Sequence, residues 1–383
     1  RIRRGDLFPE ASANPSFRRE RYSPNQDPSF GAITANTIRA PIDLSYEIDL
    51  FGRVRRGFEA ARAEAAASVA AFHSLLLTLQ GDVAFNYFRL RALDAESRIV
   101  TRTVALRREQ LALVRGRFDA GVGNELDVAR AQTELATTEA EAAALARQRS
   151  ELENALAILT GQNPSRFRVA PAEVEYLRSE PPAIPAGLPS ELLERRPDVA
   201  EAERQIAAAN ARIGIAKAAA FPVLRLTGSG GFVSADFDSL FDWDSRIWSV
   251  GPSLSIPLFA GGRFRANKER AIAAHQESVF IYRQRVLAAF AEVENSLSSL
   301  AYLAEQKEAQ DRALASARRA GELAEVRYKA GLVGYLEVVD ASRAALQIER
   351  ASVQLAAQRH ASTIQLIKAL GGGWAAEGPL PSR

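Results

Sequence analysis

The sequence predicts a mixed α and β protein that is internally duplicated and combines very long helices with amphipathic strands. Three observations lead to this prediction. Short motifs recur at a fixed distance, two long stretches have a helical composition, and several segments alternate apolar and polar residues. Of the 383 residues, 47% are hydrophobic, which is a proportion found in globular proteins.

The recurring motifs indicate that one unit occurs twice. Residues 117–121 (RFDAG) return 210 residues later as 327–331 (RYKAG), and residues 126–128 (LDV) return as 336–338 (LEV). A unit of this length is far longer than a solenoid repeat. We therefore expect both halves of the chain to contain the same supersecondary arrangement.

The duplication also predicts domain boundaries. The first repeat covers residues 1–161, and the second covers 190–374, followed by a tail at 375–383. The segment 162–189 contains six prolines and is expected to link the repeats. The second repeat is predicted to open with a helix near Ser190, and we expect the first repeat to lack the equivalent helix.

Each repeat is expected to contain one very long helix and a shorter helix that returns beside it. Residues 263–320 contain no glycine or proline, and apolar residues from Val286 to Leu300 are spaced alternately by four and three, as in a coiled coil. At about 1.5 Å per residue, each long helix would measure about 100 Å. Helices alone would equally fit an ordinary bundle or a cytoskeletal coiled coil. The predicted bounds are 53–120 and about 125–160, then 263–330 and about 336–370.

Strands with period-two alternation lie between these helices. Residues 42–50 (IDLSYEIDL) and 248–258 (WSVGPSLSIPL) alternate apolar and polar side chains. The apolar face of such a strand covers a core in a soluble sheet or faces lipid in an outer membrane barrel. Four strands per chain, two per repeat, cannot close a barrel, whereas three chains would supply twelve. Closure is required because open sheet edges are not tolerated in lipid.

Composition and motif content exclude several functions. The chain has no cysteine for disulfides or thiolate sites, and its three histidines are isolated, so no metal site is predicted. A net charge of +3 without a separate basic block gives no indication of nucleic acid binding. We find no nucleophile elbow, nucleotide-binding loop, zinc-protease motif or pair of catalytic carboxylates, so we expect no enzymatic activity and no cofactor. No membrane helix is expected, because the longest uncharged stretch, 65–81, contains several polar residues.

Five short motifs follow one another along the duplicated chain: 45–53 (SYEIDLFGR), 195–199 (RRPDV), 219–222 (AAFP), 257–263 (PLFAGGR) and 368–374 (KALGGGW). In this order they resemble the TolC-like outer membrane factor family, and most closely its OprM/NodT lipoprotein branch. The resemblance extends over nearly the whole chain. Each motif alone is weak, but their order on a duplicated frame is specific.

The resemblance implies a homotrimeric exit duct of a tripartite efflux system. A twelve-stranded β-barrel would lie in outer membrane lipid, and a long α-helical coiled-coil barrel would cross the periplasm. The linker 162–189 would belong to an equatorial belt around that helical barrel. The implied partners are a periplasmic adaptor protein and an inner-membrane pump, typically proton-driven. The lipoprotein branch usually carries a lipid on a cysteine, a residue type that this sequence does not contain.

One alternative from a different class is a periplasmic adaptor or another coiled-coil interaction protein. Adaptors also contain helical hairpins, but they carry lipoyl-like and barrel modules that we do not recognise in this sequence. Amphipathic strands discriminate between the two hypotheses, because a duct needs a lipid-facing wall and an adaptor does not. The strands therefore favour the duct.

The turns after the long helices are candidates for adaptor docking. Gly121 and Gly331 suit the left-handed position that ends a helix. Asn124 is predicted to cap the next helix, with Asp127 three residues later, and Gly334 and Glu337 repeat this spacing. The predicted docking tips comprise Gly121, Gly123, Asn124, Leu126, Asp127, Gly331, Leu332 and Gly334.

A gate is predicted in the helix that follows the second turn. Capping and the helix dipole explain an acid at Asp127 or Glu337, but Asp340 lies too far into its helix for either role. In related channels the matching acid rings the periplasmic mouth, beside an apolar constriction that matches Leu336. Arg130, the repeat equivalent of Asp340, is a candidate ion-pair partner. The alternative is that Asp340 is only a solvated surface charge.

Overall fold

The chain forms two compact units, each assembled from two separate segments. The computed structural model describes residues 2–23, 25, 33–171, 180–182, 184 and 195–372. The first unit comprises Arg1–Ala71 with Asp198–Arg285, and the second comprises Phe72–Pro197 with Val286–Arg383. Each unit therefore contains residues from both predicted repeats. The first unit holds all the described strands with the starts of the two long helices, and the second holds most of the two helical hairpins.

The first unit contains one antiparallel sheet. Strands from the beginning and the middle of the chain meet in it, because β3 (Ile33–Ile48) pairs with β4 (Val223–Ser234). β1 (Glu10–Ala13) and β2 (Ser16–Tyr22) lie on the other side of β3, and β5 (Arg246–Ser255) lies beyond β4. The predicted alternating strands are confirmed as β-strands.

The sheet has five strand segments where the sequence predicted four strands. Segments β1 and β2 both pair with β3, at different parts of its length, so together they occupy one position in the sheet. The interruption falls at Asn14 and Pro15, opposite Pro41 of β3. Proline has no N–H to donate, so neither proline can donate to the ladder at this point. The Asn14 side chain instead donates to the Asp43 carboxylate at 3.1 Å.

The helices form two hairpins with matching dimensions. The two long helices each contain 67 residues, and the two helices that return beside them each contain 35. The second hairpin begins and ends 210 residues after the first, and the predicted bounds are correct to within one residue. In chain order, the helices are α1 Ile2–Gly5, α2 Arg53–Asp119, α3 Glu125–Leu159, α4 Pro197–Ala218, α5 Arg263–Lys329 and α6 Tyr335–Ala369.

One helix passes a length and composition test for a membrane span. An 18-residue window within α2 is long and apolar enough, and 6% of that window is buried. The window passes because a mean hydropathy tolerates isolated polar residues, whereas the sequence prediction required an uninterrupted apolar run. A single window of this kind is weak support for a membrane helix.

Some predicted features lie outside the described residues. These are the tail 375–383, Trp374 in the last family motif, and the helix opening near Ser190. Of the linker 162–189, only residues 162–171, 180–182 and 184 are described.

Candidate functional site

The turn between α2 and α3 contains two glycines with different requirements. Gly121 has a φ of +73°, and the Val122 N–H donates to the Arg117 carbonyl at 3.0 Å, which confirms the predicted left-handed helix end. A Cβ at Gly121 would meet nothing within 4 Å, so the requirement there is torsional. A Cβ at Gly123 would lie 2.6 Å from the Phe118 backbone nitrogen, so contact excludes a side chain there.

Helix α3 begins at the predicted cap. Asn124 has an extended backbone, and its side-chain oxygen accepts from the Leu126 N–H at 2.9 Å. Glu125 and Asp127 lie in the first turn, where the helix dipole favours negative charge. The capping role of Asn124 is confirmed, and the local chemistry of the helix start accounts for Asp127.

The turn between α5 and α6 has the same backbone ending. Gly331 has a φ of +75°, and the Leu332 N–H donates to the Arg327 carbonyl at 2.9 Å. Gly334 occupies the cap position with an extended backbone but offers no side-chain acceptor. The two turns therefore differ at the cap, where only the first has a side chain that accepts a backbone hydrogen bond.

Both turns expose apolar side chains to solvent. Val122 is 69% exposed and Leu332 is 70% exposed, while Leu126 and Leu336 are about half exposed. Exposed apolar groups at the end of a hairpin form a surface suited to contact with another protein.

A small apolar core next to the turns joins the two hairpins. The Tyr328 and Tyr335 rings lie 5.5 Å apart, and the Arg117 guanidinium lies 5.0 Å from the centre of the Tyr328 ring. Burial raises the pKa of Tyr335 to about 12, so its hydroxyl stays protonated at physiological pH. The buried members of this core are Val114, Ala131, Tyr328, Tyr335, Val338 and Val339.

The predicted gate residues of α6 share one exposed face. Leu336, Glu337 and Asp340 are exposed, whereas Val338 and Val339 are buried in the core between the hairpins. Residues three or four positions apart lie on the same side of a helix. The structure therefore brings these three side chains together on the surface of one chain.

Arg130 does not reach this face within one chain. Its guanidinium pairs with the Asp127 carboxylate at 3.4 Å. Among the described residues of a single chain, no ion pair joins Arg130 to Asp340. The pairing suggested by the sequence stays a prediction, and it would have to form between neighbouring chains.

A buried ion network, which the sequence reasoning did not find, ties the hairpins together. Glu134 of α3 accepts from Arg107 of α2 and from Arg343 of α6, where the Arg343 Nε lies 2.8 Å from the carboxylate. Arg107 and Glu134 are both more than 90% buried. Burial alone would raise the pKa of Glu134, but the hydrogen bonds from Arg343 and Arg107 outweigh it and lower that pKa.

Four further ion pairs, centred on Arg350 and Glu349, extend this network along α6. Arg350 pairs with Glu141 at 3.2 Å and with Glu96 at 3.5 Å. Glu349 accepts from Arg102 of α2 at 2.8 Å and also from Arg318 of α5. The sequence signal was present but faint: Glu134 and Glu141 on α3, and their partners on α6, are each seven residues apart, as charges beside a coiled-coil seam are.

The strand register gives the sheet one apolar face. Many of its side chains are exposed in a single chain, and Trp248 is 81% exposed. From Ile38 to Ile48 the apolar face covers about 34 Å of strand. A strand tilted by about 45° would span roughly 24 Å in height over that length. The apolar band of outer membrane barrels is about as tall, at ~25 Å. The rows across β3, β4 and β5 are Ile48–Leu224–Leu254, Tyr46–Leu226–Pro252, Leu44–Gly228–Val250 and Ile42–Gly230–Trp248.

The opposite face of the sheet is polar. Glu47 of β3 pairs with Arg53 at 2.6 Å and with Arg225 at 3.7 Å. Asp43 accepts from the Ser229 hydroxyl at 2.7 Å. A wall with one apolar and one polar face separates lipid from water in a membrane barrel.

Comparison with known proteins gives the family. A sequence profile described as outer membrane efflux protein matches residues 1–162 and 188–372. The chain belongs to this family. It is 34% identical over 375 residues to the toluene efflux pump outer membrane protein TtgI of Pseudomonas putida, covering 98% of this chain and 79% of that protein.

Further relatives include a protein named for a different efflux role and a channel of known structure. The chain is 34% identical over 343 residues to the cation efflux system protein CusC of Escherichia coli, covering 90% of this chain and 74% of that protein. The open state of the Neisseria gonorrhoeae MtrE outer membrane channel matches it with a TM-score of 0.85 and 33% identity, covering 97% of this chain and 82% of that one.

These findings confirm the resemblance read from the five motifs. This outer membrane efflux protein is an exit duct of an efflux system, located in the bacterial outer membrane and extending into the periplasm. The sheet supplies a wall with a lipid-compatible face, and the hairpins supply the long helices of the duct.

Proposed function

We propose that three copies of this outer membrane efflux protein close a twelve-stranded barrel and conduct passively what an inner-membrane pump expels. The supporting observation is the sheet itself. Among the described strands, β5 forms one edge and β1 with β2 forms the other. Unpaired edges are not tolerated in lipid, and the edge of a neighbouring copy would satisfy them. Three copies of four strand positions give twelve.

The full-length protein is therefore expected to be a trimer in detergent. Native mass spectrometry or light scattering with detergent correction measures the mass of the particle. A stable monomer at micromolar concentration would contradict the closed barrel. Extraction is the accompanying control, because a protein with this apolar sheet face should leave the membrane only with detergent.

The helix turns are proposed to dock a periplasmic adaptor protein. The supporting observation is an exposed apolar surface on the two turns, in which glycines adopt the positive φ that ends each long helix. Its side chains are Val122, Leu126, Leu332 and Leu336. The adaptor would in turn connect the duct to the pump, which we expect to be proton-driven. TtgI is named for toluene efflux and CusC for cation efflux, so these relatives point to no single substrate class for this chain.

The exposed face formed by Leu336, Glu337 and Asp340 is proposed to be the gate. Three copies of Asp340 around a narrow mouth would attract cations and repel one another unless paired, and Arg130 of a neighbouring copy would supply the opposite charge. Opening would then require separation of helices and no covalent chemistry. We therefore propose a duct without enzymatic activity.

Replacement of Asp340 by alanine should raise the single-channel conductance of the trimer in a planar bilayer. It should also weaken block by multivalent cations, because a ring of carboxylates that binds them is removed. Glu125→Ala is the control, since Glu125 is an exposed acid in the first turn of α3 and should mainly affect the helix start, by about 0.3–1 kcal/mol. Asp127→Ala would not serve, because Asp127 pairs with Arg130. If Asp340→Ala shows wild-type conductance and wild-type cation block, Asp340 is only a solvated surface charge and the gate assignment is wrong.

A further inference from the structure

The register of β2 separates its charged residues onto opposite faces of the sheet. Phe17 pairs with Ile38 and so continues the apolar face, and the next residues of β2 on that face are Arg19 and Arg21. Arg18 and Glu20 lie on the polar face, where they form an ion pair at 3.2 Å. The sequence shows only a polar stretch at this point, whereas pairing shows that two arginines face the same way as the apolar band.

The two arginines lie just beyond the end of the apolar band. Arg19 and Arg21 are two and four residues past Phe17, which places them about 7 and 14 Å further along the strand. With a strand tilt of about 45°, these distances become about 5 and 10 Å in height. The polar headgroup region extends about 5–8 Å beyond the hydrocarbon core on each side. Arg19 therefore lies within that region, and Arg21 lies just beyond it, where a long side chain still reaches back to the headgroups.

Aromatic side chains surround this end of the sheet. Phe17 stacks on Phe237 at 6.0 Å, and Phe232 lies 5.5 Å from Phe241. Trp243 in the same connection between β4 and β5 is 76% exposed. Aromatic residues form girdles at both interfaces of outer membrane barrels, and tryptophan is among the residues most favoured there.

Arg19 and Arg21 have no acidic partner among the described residues. Both side chains are exposed, and neither forms an ion pair or a side-chain hydrogen bond within that part of the chain. The connection 235–245 carries four aspartates, but none of them pairs with either arginine. Two guanidinium groups without an acidic partner at headgroup level can bind an anionic group from outside the chain.

We propose that Arg19 and Arg21 bind the phosphate groups of a glycolipid in the outer leaflet of the outer membrane. Guanidinium groups recognise phosphate through paired N–H donors, and the neighbouring aromatic rings would contact the acyl chains. The sites repeat in each copy of the trimer. This inference rests on the proposed barrel, whose apolar face it takes to be the lipid-facing side.

The test measures lipid binding by the full-length trimer in mild detergent. Bis-phosphorylated lipid A is titrated and binding is followed by native mass spectrometry. Lipid A without its phosphates and free inorganic phosphate are the two comparison ligands. We expect Arg19→Gln with Arg21→Gln to weaken binding about 30-fold, from about 1 kcal/mol for each basic residue near a charged surface. Arg18→Gln is the matched control, because Arg18 lies between the two arginines and on the polar face.

The inference requires four results together. The double variant binds lipid A weakly, Arg18→Gln binds it like the wild type, dephosphorylated lipid A binds the wild type weakly, and binding survives EDTA. Equal binding of the two lipids by the wild type would overturn the inference without any variant. Loss of lipid binding in EDTA would instead indicate that the lipid is held by cations bound to the aspartates of 235–245. A trimer of the expected mass that binds phosphorylated and dephosphorylated lipid A equally would contradict the inference. It would not contradict the proposed duct.

Discussion

Replacement of Glu134 by alanine should destabilise the contact between the two hairpins by about 3–5 kcal/mol, because it leaves the buried Arg107 without its counter-charge. The local free energy of opening should fall by that amount, and amide hydrogen exchange in α3 and α6 of the assembled trimer should accelerate a hundredfold or more. Glu139→Ala is the control on the same helix. Its partner Arg108 is largely exposed, and exposed pairs contribute about 1 kcal/mol at most.

A double variant tests the physical reason for this effect. Arg107→Met together with Glu134→Leu removes both buried charges, so it should restore much of the protection that Glu134→Ala loses. If amide hydrogen exchange is as fast in the double variant as in Glu134→Ala, an unpaired buried arginine is not the cause of the destabilisation.

The network should also make the hairpin contact sensitive to acid. The pKa of Glu134 is lowered in the folded protein, so its stabilisation is complete above the pKa of an unfolded glutamate and is lost as pH falls through the lower folded value. The pKa of Glu349, which burial would raise, is likewise lowered by Arg102 and Arg318. Glu134→Ala should therefore show a smaller acid dependence of exchange than the wild type.

Replacement of Gly121 or Gly331 by valine should abolish efflux while the barrel still inserts in the outer membrane. Both glycines have a φ near +75°, a conformation that costs a β-branched residue about 1–3 kcal/mol and would distort the docking turn. Drug susceptibility of cells that depend on this duct reports efflux, and the amount of trimer in outer membrane fractions reports insertion.

Valine at a helical glycine is the matched control for this prediction. Gly116 of α2 and Gly321 of α5 lie in the same long helices, and a Cβ at either position would meet nothing within 4 Å. Gly116→Val and Gly321→Val should leave efflux unchanged, since a helical φ suits valine. Wild-type susceptibility in both Gly121→Val and Gly331→Val would argue against docking at the turns.

Much of the candidate site could be predicted because local chemistry determines it. The positive φ of Gly121 and Gly331 follows from the need to end a helix, and Asn124 caps α3 because its side chain reaches the next backbone N–H. The break at Asn14 and Pro15 was missed, although proline content alone favours an interruption. The Glu134 network was missed because its partners lie on three different helices.

The elements of this protein could be predicted along the chain: their order, the lengths of the helices, the alternation of the strands and the family to which the chain belongs. Those properties depend on neighbours within a few residues or on motifs, so they are readable along the chain. Tertiary structure decided which elements meet. Pairing of β3 with β4, and of β2 with β3, placed Arg19 and Arg21 on the apolar face and Arg18 on the polar one. Packing of the hairpins buried Arg107 beside Glu134. Such contacts join residues far apart in sequence, and the pairing partner of each strand or helix has to be known before its register and buried contacts can be assigned.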